Sequence, residues 1–318
     1  MINIFVTGSS GFIGFHLSNF LLKKNYRVIG IDNHNKYYSN KVKKKRLLIL
    51  KKNKNFSFEK LNLVNKKKLE NIFKKFKPKI IFHLAGQPGV LYSLKNPASY
   101  YLNNTEATKS ISFLSKKYKV NKFIFSSSSS IYGDQKKFPI KETYSFKPKN
   151  PYAKSKVQSE KIILKNFKNS NIKFTIFRFF TVYGPYGRPD MFIHKFLNSI
   201  KYNKKIKLYN HGLNFRDFTF IDDVVEILNK SIKNEKSSNK IINICRSKPF
   251  LTIDLVNLIL KKLKKSNVKI VKTKFVEGEM LKTHGSNKYL KKIFGNIKFT
   301  NLDVGIKKTV QIFKKYSV

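Results

Sequence analysis

The chain has 318 residues, 41% of them hydrophobic and 14% aromatic, which suits one large or two fused α/β domains and excludes a disordered chain. Its 67 Lys and Arg against 17 Asp and Glu give a formal charge of +50, but the lysines run the whole length alongside Asn, Ile, Phe and Tyr, all residues of A/T-rich codons. The charge therefore reads as compositional drift, with no specific nucleic-acid partner. The single cysteine, Cys245, allows neither an internal disulfide nor a cysteine metal cluster and suits a reducing cytoplasm, and no apolar run reaches membrane-spanning length.

Residues 2–7 have no basic leader and read as a first strand. Thr7-Gly8-Ser-Ser-Gly11-Phe-Ile-Gly14 follows and opens a helix-like stretch at 12–24. Glycines so placed permit a tight turn, close approach of backbone to a pyrophosphate, and a helix N-terminus aimed at the phosphates. A second strand at 27–31 runs into Asp32-Asn33. An acid there binds ribose hydroxyls and repels a 2′-phosphate, which predicts NAD rather than NADP. Lys-rich runs at 43–46 and 66–68 read as solvated helix faces. Further strands are expected at 56–61, 79–83, 122–126, 173–178 and 240–244, and helices at 66–76, 105–118, 153–167 and 222–233. This alternation predicts an α/β fold, a Rossmann-type doubly wound parallel sheet. After Thr181, Gly184-Pro-Tyr-Gly187, Asn210-His-Gly212 and Glu277-Gly278 break the pattern. They predict a smaller, mixed C-terminal substrate-binding region. The expected division is an NAD-binding domain of 1–181, to which 214–246 returns, and a nucleotide-sugar region of 182–213 and 247–318.

Tyr152 and Lys156, in Pro151-Tyr-Ala-Lys-Ser-Lys156, share one helix face four residues apart. An ammonium beside a phenol favours the phenolate and can make it a base. Tyr37/Lys41, Tyr118/Lys122 and Tyr132/Lys136 have the same spacing. Only the first pair follows the glycine turn and the serine run 126–130 and also opens a helix-like stretch before the block that holds Arg178 and Arg188.

These residues resemble the extended short-chain dehydrogenase/reductase family. Gly11-Phe-Ile-Gly-Phe-His-Leu17, His83-Leu-Ala-Gly-Gln87, Ser126-Ser-Ser-Ser-Ser-Ile-Tyr-Gly133, Arg178-Phe-Phe-Thr-Val-Tyr-Gly-Pro-Tyr-Gly-Arg-Pro-Asp-Met191, Tyr209-Asn-His-Gly212 and Arg216-Asp-Phe-Thr-Phe-Ile-Asp-Asp223 stand in family order. Within the family they look like the UDP-glucuronate 4-epimerases. The resemblance implies an NAD-dependent enzyme that epimerises a UDP-hexuronic acid through transient oxidation at C4. Neighbouring possibilities are 4-epimerisation of UDP-glucose or a UDP-N-acetylhexosamine, and decarboxylation of UDP-glucuronate. It implies Ser128 as the catalytic hydroxyl, Tyr152 as the base, and Lys156 as the group that lowers the phenol's pKa and holds the nicotinamide ribose. Asn33, Asn62, Leu63, Leu84, Ala85, Gly86 and Ser126 would complete the cofactor site. Ser129, Ser130, Thr181, Arg188, Met191, Lys195, His211, Arg216 and Glu279 would contact the substrate, with Asn104 and 190–195 lining its cleft. A cytoplasmic homodimer serving surface polysaccharide supply is implied as well, with no membrane partner.

The arginines bear on the same point. Lys is used almost everywhere and there are six Arg, three of them (Arg178, Arg188, Arg216) inside these blocks. Only Arg offers a planar fork for carboxylate or diphosphate. Arg178, at a strand end, is equally readable as a packed core residue. His16 and His83 read as packing residues, and no histidine has metal-ligand spacing, so no metal site is expected. Leu91 stands where the family usually has Arg, Asn62 where an Asp commonly faces adenine, and Ser286 where another Asp is usual.

Overall fold

Short runs of β-branched and aromatic residues are too brief for buried helices and pair instead. A computed structural model, describing residues 2–265, 268–275 and 280–316, places them as β1 (Asn3–Thr7), β2 (Arg27–Asp32), β3 (Phe56–Lys60), β4 (Ile80–His83), β5 (Lys122–Ser128), β6 (Lys173–Phe179) and β7 (Lys240–Ile244). They form one parallel sheet in the order β7-β6-β5-β4-β1-β2-β3. The strand order reverses between β1 and β4, and a doubly wound sheet opens its ligand crevice at that point. Thr7 aligns with Ile31 on one side and His83 on the other, so the loops leaving β1, β2 and β4 share one edge.

Helices cover both faces. α1 (Phe12–Lys23) and, much later, α5 (Ile221–Lys230) pack on one side, where Leu17, Leu21, Val224 and Leu228 join Ile4 and Val28 in one core. α2 (Lys66–Phe76), α3 (Ala107–Lys117) and α4 (Pro151–Phe167) pack on the other, against Phe5, Ile29 and Phe123. In α2 the buried residues Leu69, Ile72, Phe73 and Phe76 follow the helical period, with the Phe73 ring edge-on to Phe5 at 5.3 Å. Asn150 starts α4 by accepting a bond from the Ala153 amide at 2.9 Å, with Pro151 in the first turn. The helix expected over 105–118 begins at Ala107, after a wide π-type turn at Tyr101–Glu106.

Beyond β6 the elements shorten, as the loop signals require. Thr181–Tyr183, Phe215–Phe220 and Pro249–Leu251 make a mixed three-stranded sheet, and Ile206–Leu208 pairs with Ile270–Lys272. One expectation fails. The run 43–46 is not a solvated face: within the helix Asn40–Lys51, Lys43 and Arg46 are buried with Leu47 and Leu50. The run 66–68 is exposed. Among the described residues no helix is long and apolar enough to cross a membrane.

Candidate active site

The glycine turn is built by exclusion. Gly8 sits at φ +71°, its amide donates to the Ile31 carbonyl at 2.7 Å, and a Cβ there would lie 2.9 Å from the Ala85 backbone. A Cβ on Gly14 would lie 2.1 Å from the Gly8 carbonyl oxygen. No side chain caps α1 at Gly11, so the first amides of the helix remain for a ligand. Asp32 ends β2 on the same cleft, its two oxygens accepting from the Ser10 amide at 3.1 Å and the His34 amide at 2.8 Å. A cradle that a single methyl would fill, an open helix N-terminus and a carboxylate beside it fit a dinucleotide diphosphate and its ribose. Gly14→Ala should weaken NAD binding at least tenfold, as nucleotide retention and calorimetry would read, because helix and turn must separate to admit the methyl.

Of the expected cofactor residues, Gly8, Gly11, Phe12, Ile13, Gly14, Asp32, Asn33, Asn62, Leu63, Leu84, Ala85, Gly86 and Ser126 line this cleft. Ser10 does not. It is buried, and its hydroxyl faces the His34 ring at 2.9 Å. Asn62, in place of an acid, turns its carboxamide oxygen to the Val64 amide at 3.4 Å. Asn104 is buried behind Gly86, accepting from the Gln87 amide at 2.6 Å and donating to the Ser155 hydroxyl at 2.8 Å. It ties the β4 loop to α4 and does not itself line the cleft.

Ser128 ends β5, and its oxygen accepts from the Ser130 amide at 3.2 Å and the Ser130 hydroxyl at 2.9 Å. Ser129 and Ser130 line the cleft beside it, as do Tyr152 and Lys156 from the first turns of α4. Lys156 donates to the Ser126 carbonyl at 2.7 Å and lies over the Phe125 ring at 4.9 Å. Burial lowers its pKa to about 8, with Glu160 pulling the other way. Burial raises the Tyr152 phenol, and the Ser128 hydroxyl and the Arg188 charge pull it down.

The lysine has a stability consequence. Its protonated form is disfavoured in the fold, so the cost is full below about pH 8 and fades towards the ordinary lysine value. Lys156→Met should therefore raise stability by about 1–3 kcal/mol at pH 7, less at pH 10, while abolishing turnover. Melting at the two pH values measures this.

On the substrate side, Thr181, Arg188, Met191 and Arg216 line the cleft. Arg188 forks onto Asp190 at 3.0 and 2.6 Å, and Asp190 also accepts from the Tyr37 hydroxyl at 3.0 Å. Burial alone would raise the Asp190 carboxyl, but the guanidinium holds it below the usual range. Lys195 is exposed on the helix Phe192–Lys201 and does not reach the cleft; neither does His211, exposed in a tight turn. Leu91 is also off the lining. Glu279 lies outside the described residues.

His83 bridges the Thr7 and Thr108 hydroxyls in the core at 2.8 and 3.0 Å, and burial lowers its pKa to about 3. His16 meets the Pro185 carbonyl at 2.9 Å. Both are packing residues. Arg178 is one too: 2% exposed, it forks onto buried Glu160 at 3.0 and 2.8 Å. Tyr38 and Lys43 also line the cleft but were not expected to. The signal for Lys43 lay in the 43, 46, 47, 50 spacing, a buried helical stripe that the neighbouring lysines hid; Tyr38 precedes that helix.

Comparison with known proteins agrees with this geometry. The model of the NAD dependent epimerase/dehydratase family matches residues 4–245. The chain is 34% identical to a UDP-glucuronate 4-epimerase of Thermodesulfobacterium geofontis, over 98% of this chain and 95% of the relative. It superposes on the UDP-glucuronic acid 4-epimerase of Bacillus cereus, crystallised with UDP-glucuronic acid and NAD, with a TM-score of 0.93 at 30% identity over 99% of both chains. A UDP-glucose 4-epimerase of Thermotoga maritima, with UDP-glucose, gives 0.90 at 28% over 99% of both.

Proposed function

We propose that this chain, which belongs to the NAD dependent epimerase/dehydratase family, interconverts UDP-glucuronate and UDP-galacturonate by 4-epimerisation with NAD. The observation that carries the reading is the convergence of Ser128, Tyr152 and Lys156 with the glycine turn and Arg188 on one cleft. The glycine turn and Asp32 would hold the dinucleotide, and Lys156 its nicotinamide ribose. The chemistry supplied by bound NAD is reversible hydride acceptance at sugar C4.

The chain's own part is proton handling and orientation. Tyr152, ionised, accepts the 4-hydroxyl proton as C4 is oxidised and returns it when the opposite face is reduced, with Ser128 holding the sugar oxygen. The resulting 4-keto uronate is a β-keto acid. Ser129, Ser130 and Thr181 hold its carboxylate by hydrogen bonds and make poor acids for eliminating water. Arg188 and Arg216 supply forks for the uronate side and the diphosphate. The two halves of the chain divide as 1–181 with 214–246 for the cofactor, and 182–213 with 247–318 for the nucleotide sugar.

Incubation with UDP-glucuronate and NAD, followed by product NMR, tests this. UDP-galacturonate is the expected product. UDP-xylose, or turnover confined to UDP-glucose, overturns it.

The active unit is a homodimer in this reading. Phe113 on α3 is 60% exposed and Leu164 on the adjoining α4 is 38% exposed, an apolar face that a second copy would cover. Light scattering should give a dimer, and Phe113→Glu a monomer. A wild-type monomer at micromolar concentration would refute it.

A further inference from the structure

Four consecutive carbonyls of the loop that carries Arg188 are each taken by a buried or half-buried side chain. The Gly184 oxygen lies 2.8 Å from His194 Nε2, which also faces the Gly187 amide at 3.0 Å, and the Pro185 oxygen meets His16 Nε2 at 2.9 Å. The Tyr186 and Gly187 oxygens accept from Arg46 Nη2 at 2.5 and 3.1 Å. Two of these three side chains come from the dinucleotide side. His16 stands in the first turns of α1, directly after the glycine turn. Arg46 reaches into the turn itself, donating from Nη1 to the Ser10 carbonyl at 3.0 Å.

Arg46 is fully buried. Its donors go to three backbone carbonyls and, at 3.0 Å, to the Tyr38 hydroxyl, while Nε has no partner. A guanidinium in such a place, satisfied by neutral groups, keeps an uncompensated charge. It is the group that touches both the cofactor turn and the substrate loop. The fork geometry matters, because a lysine ammonium is a point donor and cannot span two loops.

We propose that Arg46 couples the two ligand sites: dinucleotide diphosphate on the glycine turn and nucleotide sugar against the 184–188 loop each favour the clamped arrangement, so each tightens the other. This rests on the NAD and UDP-sugar reading above. The diphosphate brings negative charge to the turn whose carbonyl Arg46 grips. The charged side chain then holds the Tyr186 and Gly187 carbonyls, and with them the backbone that presents Arg188. Arg46 is a positioning residue and takes no part in the chemistry.

The test is a calorimetric cycle. UDP is titrated into protein freed of NAD and into protein saturated with NAD, for the wild type, Arg46→Lys, Arg46→Met and His16→Leu. Turnover of UDP-glucuronate is measured alongside. In the wild type, NAD should tighten UDP binding at least fivefold, the lower end of ordinary coupling. Both Arg46 variants should bring that factor within about twofold of unity, with Kd for either ligand alone shifted less than the coupling itself. KM for UDP-glucuronate should rise more than kcat falls. His16→Leu, which removes only the Pro185 bond, should give an intermediate factor, and it decides the matter if the Arg46 variants do not fold. Wild type that turns over UDP-glucuronate yet binds UDP equally with and without NAD overturns the coupling and leaves the epimerase reading standing. Folded Arg46 variants with full coupling overturn the role of Arg46. A wild type that neither turns over nor binds UDP overturns the underlying reading, and this proposal with it.

Discussion

Tyr152→Phe should lower kcat about 10³-fold, the middle of the range a positioned general base contributes, while leaving NAD and UDP binding within about twofold. The phenol oxygen is the one atom removed. No core contact depends on it: the Tyr152 ring keeps its edge contact with Tyr100 at 6.0 Å, and the first turn of α4 is held by Asn150 and Pro151. The pH profile adds a second readout. Burial raises the phenol, so at neutral pH most of it is protonated and turnover should climb with pH as the phenolate forms. The phenylalanine variant must lose that limb along with its rate. Coupled assays across pH 6–9 and calorimetry on the same preparation check both, and undiminished turnover would sink the assignment of Tyr152 as base.

The other Tyr/Lys pairs show how much could be read beforehand. Tyr118 donates to Glu70 on α2, Tyr132 is buried between Arg178 and Asn243, and Tyr37 holds Asp190. Spacing could not separate these from Tyr152. Position after the glycine turn and serine run sets Tyr37 and Tyr118 aside, and only Tyr152 of the remaining two opens a long helix; strand order in a doubly wound sheet then brings the ends of β1, β4 and β5 to one edge. The seven strands were legible for a similar reason, since buried parallel strands are unbroken apolar runs. What stayed hidden depends on three-dimensional reach. Lys195 and His211 follow the substrate block closely in sequence, yet the helix Phe192–Lys201 and the turn Tyr209–Gly212 leave both exposed. Arg46 was hidden by composition. In a run of lysines its single guanidinium looked like more solvated charge, although the scarcity of Arg that singled out Arg188 and Arg216 applied equally to it.

Arg178→Leu carries the largest expected stability effect. Glu160 is 1% exposed, accepts both guanidinium bonds and also holds the Ser127 hydroxyl. Arg178 further donates to the Tyr132 hydroxyl and the Glu142 carbonyl, each at 2.8 Å. The network therefore joins β5, α4 and β6 one residue from Ser128 and one helical turn from Lys156. Removing the arginine strands a buried carboxylate, which costs about 3–5 kcal/mol. For a chain of this size that is a fall in Tm of roughly 5–8 °C. Arg178→Leu with Glu160→Leu should cost less than Arg178→Leu alone, because no charge is then left buried, and kcat should fall in both as Ser128 and α4 lose their common anchor. Denaturant titration of the two single variants and the double closes the cycle. Equal costs for the single and double variants would mean that the pair is held by packing and that the serine run is positioned by something else.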